Sequence, residues 1–211
     1  MTLTLLPKDL AVLRLYNAEG RHYHGVHHIL EMLELHFTGK SRGVAIPNYV
    51  RPVWDEYLEG GLICAIIAHD CVYEIGREKG WNERQSFERW KEITGLRPYH
   101  VMEPAILATI THDPADVEIL NPSHLDVIKH MIDLDMAPLG FDRDEFDVNS
   151  DNIRLEMIHG GIPPESYASG RNAFFKSVLA KDRIYHTEQF HNALEAKARA
   201  NIQRVLDGAA G

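Results

Sequence analysis

Three short segments of the chain carry side chains able to do chemistry together. The first is Arg21-His22-Tyr23-His24-Gly25-Val26-His27-His28. Residues four apart share a helix face, so His24 and His28 can address one point. Two imidazoles so placed can ligate one metal ion, or one can ligate while the other moves a proton. The plain alternative is a solvent-facing histidine beside a helix start. The second segment is Ala65 to Tyr73, where a run that reads as a buried helix ends in His69-Asp70. A carboxylate at the end of a core helix is costly without a compensating cation or ligand. A neighbouring Arg or Lys would also satisfy it. The third is Asp133-Leu134-Asp135, between Ile132 and Met136. Two residues apart on a helix, these carboxylates diverge, so one of them reaches any single site, unless both simply face water.

The composition is ordinary for a globular protein except in its histidines. The 13 histidines among 211 residues outnumber the 8 Tyr and the 7 Phe, and four of them fall between 22 and 28. Lys and Arg number 22 against 31 Asp and Glu, a net charge of −9. Long nucleic acids are poor partners for such a chain, because their affinity comes from cations on phosphates. A small phosphate ester held by a metal stays compatible, since the ion brings its own charge. Cys64 and Cys71 lie in an apolar stretch and are expected to be free thiols of a reduced compartment. The first ten residues lack the features of a secretory signal. The longest purely apolar run, Leu62 to Ala68, is too short to span a bilayer. A cytoplasmic protein with no membrane partner is expected, and a homo-oligomer is left open.

The elements that must position these residues read as helices. Val26, Ile29, Leu30, Leu33 and Phe37 mark one helix face, and Phe87, Trp90 and Ile93 another after Asn82, read as an N-cap. Asn121-Pro122 and Pro163-Pro164 read as helix openings. Thr187 is expected to cap a last helix that stops at Gly208. Sustained period-two alternation is absent, and 38–48, 75–82 and 136–150 read as loops. The expectation is an all-α single domain over residues 1–211, a bundle of roughly eight to ten helices.

His28, His69-Asp70 and Asp135 together resemble the HD superfamily of metal-dependent phosphohydrolases, whose signature is a histidine, a His-Asp dyad and a distant aspartate. The likeness is closest to a bacterial and phage branch. It rests on Arg21 to Ile29, Ala65 to Tyr73, Asn82-Glu83 with Ser86, Thr109 with His112, Asp133 to Gly140, and Ile153-Arg154 with Glu156. Gly170-Arg171 and the stretch from Arg183 through Asn201 also look like that group, so the likeness runs from about Tyr16 to Leu206. The resemblance implies an HD-type helical bundle and a metal on His28, His69, Asp70 and Asp135, the last chosen over Asp133 because the family's aspartate precedes a leucine-like residue. The opening Tyr23-His24 is similar to that of cyclic-nucleotide phosphodiesterases, which implies His24 as the general acid. Asp70 would serve the metal and the chemistry alike.

Mixed nitrogen and oxygen ligation suits Mn²⁺, Fe²⁺, Co²⁺, Ni²⁺ or Zn²⁺, with Mg²⁺ also considered, as one or two ions. Glu83 and His112 are candidates for a second ion or for supporting its neighbours. Arg21, with Tyr23, is a candidate for gripping phosphate, or else for holding the dyad. Arg154, Glu156 and Arg171 are open to reading as a buried ionic lattice. Ala68 before the dyad and Met157 after Glu156 depart from the family's aromatics and bear on pocket size. The remaining histidines, His36 and His130 among them, take the surface or cap reading. The expected function is hydrolysis of a phosphoester in a small molecule, a nucleotide first. The competitors are a di-iron oxygenase of HD type and a ligand-sensing module without turnover.

Overall fold

The computed structural model describes residues 6–208. Nine α-helices are found among them: α1 (Pro7–Leu13), α2 (Val26–Thr38), α3 (Glu56–Ala68), α4 (Trp81–Thr94), α5 (Met102–Ala108), α6 (His124–Met136), α7 (Arg143–His159), α8 (Pro164–Leu179) and α9 (Glu188–Gly208). The bundle is all-α apart from one small hairpin. None of the described helices is long and apolar enough to cross a membrane.

Helix α3 is the axis of the bundle. Leu62, Ala65, Ile66, Ile67 and Ala68 are buried on every side of it, and it packs against α1, α2, α4, α5 and α6. Such all-round burial explains why its sequence shows no polar face. Asp55 starts it by accepting the Leu58 amide at 2.8 Å. Gly61 lets it approach the start of α5, since a Cβ there would sit 2.4 Å from Val101 Cγ1. Ala68 lies wholly inside this core and not on a cavity wall, so the expected widening of the pocket at this position does not occur.

The structure corrects several local expectations. The 38–48 loop contains a hairpin of β1 (Lys40–Ser41) and β2 (Val44–Ala45), turned through Arg42 and a left-handed Gly43. Strands of two residues are too short to show alternation. Helix α4 starts after Gly80, not Asn82; the Asn82 side chain instead exchanges hydrogen bonds with the Glu74 backbone. Helix α6 starts at His124 because the Asn121 side chain first closes a turn onto Ser123. Residues 143–150 are helical although they read as loop. Helix α7 is polar on most of its surface and starts with Asp144 and Glu145, which suit a helix N-terminus. Thr187 does stand at the head of α9, but its hydroxyl donates to Asp133 rather than capping.

His36 and His130 are not surface residues. Their rings meet inside the bundle, Nδ1 to Nε2 at 3.1 Å, with Glu59 3.0 Å from His36 Nε2 and Trp54 stacked alongside. Glu59 accepting from Nε2 makes His36 Nδ1 an acceptor, so His130 donates to it. Burial holds both rings below the usual histidine range, with Glu59 partly offsetting this at His36. Between those lowered values and about 6.5 the unfolded chain binds more protons, so stability is expected to fall as pH drops below about 6.5. His130→Gln keeps a donor but does not titrate. Its melting temperature is expected to decline less than that of the parent between about pH 6.5 and 5; parallel declines would contradict this.

Candidate metal centre

Helices α2, α3 and α6 pack against one another pairwise, and this packing gathers the sequence-distant ligand candidates. His28 comes from the buried face of α2, His69 caps the C-terminus of α3, and Asp135 sits one residue before the end of α6. A donor atom from each of His28, His69 and Asp135 lies within 4.8 Å of the others. Asp135 is the hub. Its Oδ1 is 3.2 Å from His28 Nε2 and 3.7 Å from His69 Nε2, and its Oδ2 is 3.1 Å from His112 Nε2. Asp70 adjoins the cluster, with Oδ2 3.1 Å from His69 Nε2.

His69 shows why this set fits a cation. Its Nδ1 donates to the Ile66 carbonyl at 3.0 Å, which makes Nε2 the nitrogen that faces the cluster and the one able to ligate once its proton leaves. That Nε2 is buried and makes no well-formed hydrogen bond, although two carboxylates face it. His28 Nδ1 is likewise buried and unpartnered. Burial alone would keep His69 neutral, but Asp70 and Asp135 outweigh it and raise its pKa well above the usual range. Burial opposes charge on Asp70 and Asp135 too, yet the facing imidazoles lower both. Two imidazoles with flanking carboxylates are a donor set for a divalent ion, which would take the place of the proton on His69.

The neighbouring segments hold this geometry. Tyr16, fully in the core, donates its hydroxyl to the Ile67 carbonyl at 2.9 Å and accepts the Asp70 amide at 3.2 Å. Arg21 donates to the carbonyls of His24, Asp70 and Cys71 at 3.1, 2.7 and 3.0 Å, and lies over the Tyr16 and Tyr73 rings. Of the two roles open to Arg21, the geometry matches holding the dyad segment. Ser86 exchanges hydrogen bonds with the Val72 backbone. Asp133, by contrast, is buried away from the cluster, where it accepts from the amides of His186 and Thr187 and the Thr187 hydroxyl.

His24 sits beside the cluster rather than in it. Its Nδ1 pairs closely with Glu156 Oε1, while Glu156 Oε2 accepts the amides of Tyr23 and His24, both at 3.0 Å. The ring stacks on Tyr73 with centroids 4.2 Å apart. Burial opposes a charge on His24, but Glu156 and the nearby carboxylates raise its pKa overall. Glu156 is only 2% exposed. The expected ionic lattice is therefore absent among these residues: Glu156 serves His24, Arg154 pairs with Asp151, and Arg171 lies over Tyr167.

Chain comparisons add no relative. No protein-family model matches the chain, and neither curated proteins nor solved structures provide a match. What the site can do is read from its own atoms.

A cavity of about 540 Å³ opens over the cluster, lined at one end by Tyr23, His24, Asp70, Glu83, His112 and Asp135. Burial, with Asp70 and Asp135 adding repulsion, raises the Glu83 pKa. His112 has a left-handed backbone, φ 52°, unusual outside glycine. Its carbonyl accepts from Lys181 Nζ at 2.7 Å and faces His186 Nε2 at 3.3 Å, contacts that hold the strained residue with its ring against Asp135. The sequence offered no signal for Tyr16 or Lys181. Glu156 was visible as a glutamate in a recognisable motif, but its partner was not.

Proposed function

We propose that this chain is a metal-dependent phosphohydrolase acting on a small phosphoester, with a nucleotide as the expected class. The observation that supports this most is His69 Nε2, buried and facing Asp70 Oδ2 at 3.1 Å and Asp135 Oδ1 at 3.7 Å, with both carboxylates lining a ligand-sized cavity.

His28, His69 and Asp135 would hold the ion, with Asp70 beside them. A bound divalent ion supplies positive charge for the phosphoryl oxygens and a more acidic water. The chain's own residues do the rest. Glu156 fixes His24 through Nδ1, so Nε2 is the atom left to deliver a proton to the departing oxygen. Glu156 also favours the charged ring needed for that delivery. Glu83 and His112 lie at the same end of the cavity, where they can support one ion or join in holding a second. The rest of the cavity wall is largely apolar.

Elemental analysis of the purified protein should be combined with a phosphate-release screen. The panel is nucleotides, cyclic nucleotides and phosphosugars with added Mn²⁺, Co²⁺, Ni²⁺ or Mg²⁺. Metal-dependent, chelator-sensitive release from at least one ester is the expected result. Loading without release from any of them would overturn the reading, and oxygen uptake by the iron-loaded protein would then favour an oxygenase.

A further inference from the structure

Away from the metal end, the cavity wall changes character. Phe146, Ile153, Met157, Tyr167, Phe174 and Phe175 make it apolar and largely aromatic. Phe174 stays 40% exposed although it faces a cavity. Within this wall stands one amide, Asn149, which is 5% exposed and whose Nδ2 has no hydrogen-bond partner. A buried donor left unpaired is costly, by about 1–3 kcal/mol, unless something enters to accept from it. Gly170, in the middle of α8, lines the same space, and a Cβ there would meet no protein atom within 4 Å. Packing within the chain does not require a glycine at that point, although a glycine weakens a helix.

We infer that this chamber takes the planar heteroaromatic ring of a ring-bearing phosphate ester, and that Asn149 determines specificity by hydrogen-bonding the edge of that ring. Such a ring has apolar faces for the aromatic wall and polar atoms confined to its edge. An open sugar phosphate carries hydroxyls all round and would leave them unpaired against Phe and Met side chains. The spacing agrees. Asn149 and Glu156 lie on one helix seven residues apart, so the amide stands about 10 Å along α7 from the carboxylate that orients His24. A nucleoside monophosphate extends over a comparable length from its phosphate to its base. This inference rests on the phosphohydrolase reading for the reaction but not for the binding of the ring.

Two measurements separate the two readings. Calorimetric titration of nucleosides and of ribose, neither bearing phosphate, reads the chamber alone. Parent protein is expected to bind at least one nucleoside and not ribose, with affinity falling about tenfold or more in Asn149→Leu. In the Mn²⁺-loaded protein, Asn149→Leu should raise KM for the preferred nucleoside monophosphate about tenfold, while 1-naphthyl phosphate and ribose 5-phosphate change by less than about twofold. Should Asn149→Leu not fold, Asn149→Ala removes the amide without adding a charge and is expected to give the same selective loss. Gly170→Phe, placed in open space, should raise KM for the nucleotide but not for ribose 5-phosphate. Equal losses on all three esters, or ribose 5-phosphate as good a substrate as any nucleotide, would overturn the inference. Nucleoside binding without release from any ester would leave it standing and overturn the hydrolase.

Discussion

Asp135→Asn is expected to weaken metal binding at least about a hundredfold and to remove phosphoester hydrolysis with it. Three histidines converge on this one carboxylate: His28 and His112 at 3.2 and 3.1 Å, and His69 at 3.7 Å. Asparagine keeps the shape but loses the charge that offsets a cation, and turns one oxygen into a donor aimed at a ring nitrogen. The folding readout is independent of turnover. An ion that binds only the folded chain stabilises it by about 2.7 kcal/mol at a hundred times its dissociation constant. Added Mn²⁺ or Co²⁺ should therefore raise the melting temperature of the parent and leave that of Asp135→Asn unmoved. An equal rise in both would remove Asp135 from the ligand set.

The second large effect concerns the proton rather than the metal. His24→Gln is expected to lower kcat by about 10²–10⁴-fold while metal content stays at the parental level. Glu156→Gln should lower it less and change its pH dependence. A general acid works while protonated, so kcat holds below the His24 pKa and declines as pH rises through it. Glu156 raises that pKa, through its contact with Nδ1 and through its charge. Removing the charge lowers the pKa, so the decline should begin at lower pH in Glu156→Gln. Its amide also donates to Nδ1, which disfavours the imidazolium. A profile that does not move, or His24→Gln with more than about a tenth of parental kcat, would exclude His24 as the proton donor.

Much of the bundle was legible because burial leaves a period in the sequence. Helices α2 and α3 and the closing helix follow their apolar residues, and the site candidates on α2, α3 and α6 fall where those helices meet. Helix α7 was not legible as a helix, and Ile153, Arg154 and Glu156 stood out only through the family resemblance. Its first half buries Phe146 and Asn149 and little else, so no apolar stripe distinguishes it from a loop. The histidines show a different limit. Composition separates neither His28 from His36 nor either from a surface residue, because each is a histidine on the same helix two turns apart. Their fates are set by what other helices bring: Asp135 to one, His130 and Glu59 to the other. Asp133 and Asp135 diverge as helix geometry requires, but which of them meets the histidines depends on where α9 begins.

Helix α7 carries the chamber wall through Asn149, Ile153 and Met157, and one residue before Met157 it carries the glutamate that grips His24. On the proposed function and inference, ring selection and proton delivery would both depend on this single helix. A change along that helix retunes both at once, so variants of α7 selected for a new substrate should regularly lose turnover. Helix α8, which packs on α7, also lines the cavity with Tyr167, Gly170 and Phe174, and its residues make no hydrogen bond to His24 or Glu156 among the described ones. It is the place to begin reshaping substrate preference, because it carries neither His24 nor Glu156, the pair proposed to deliver the proton.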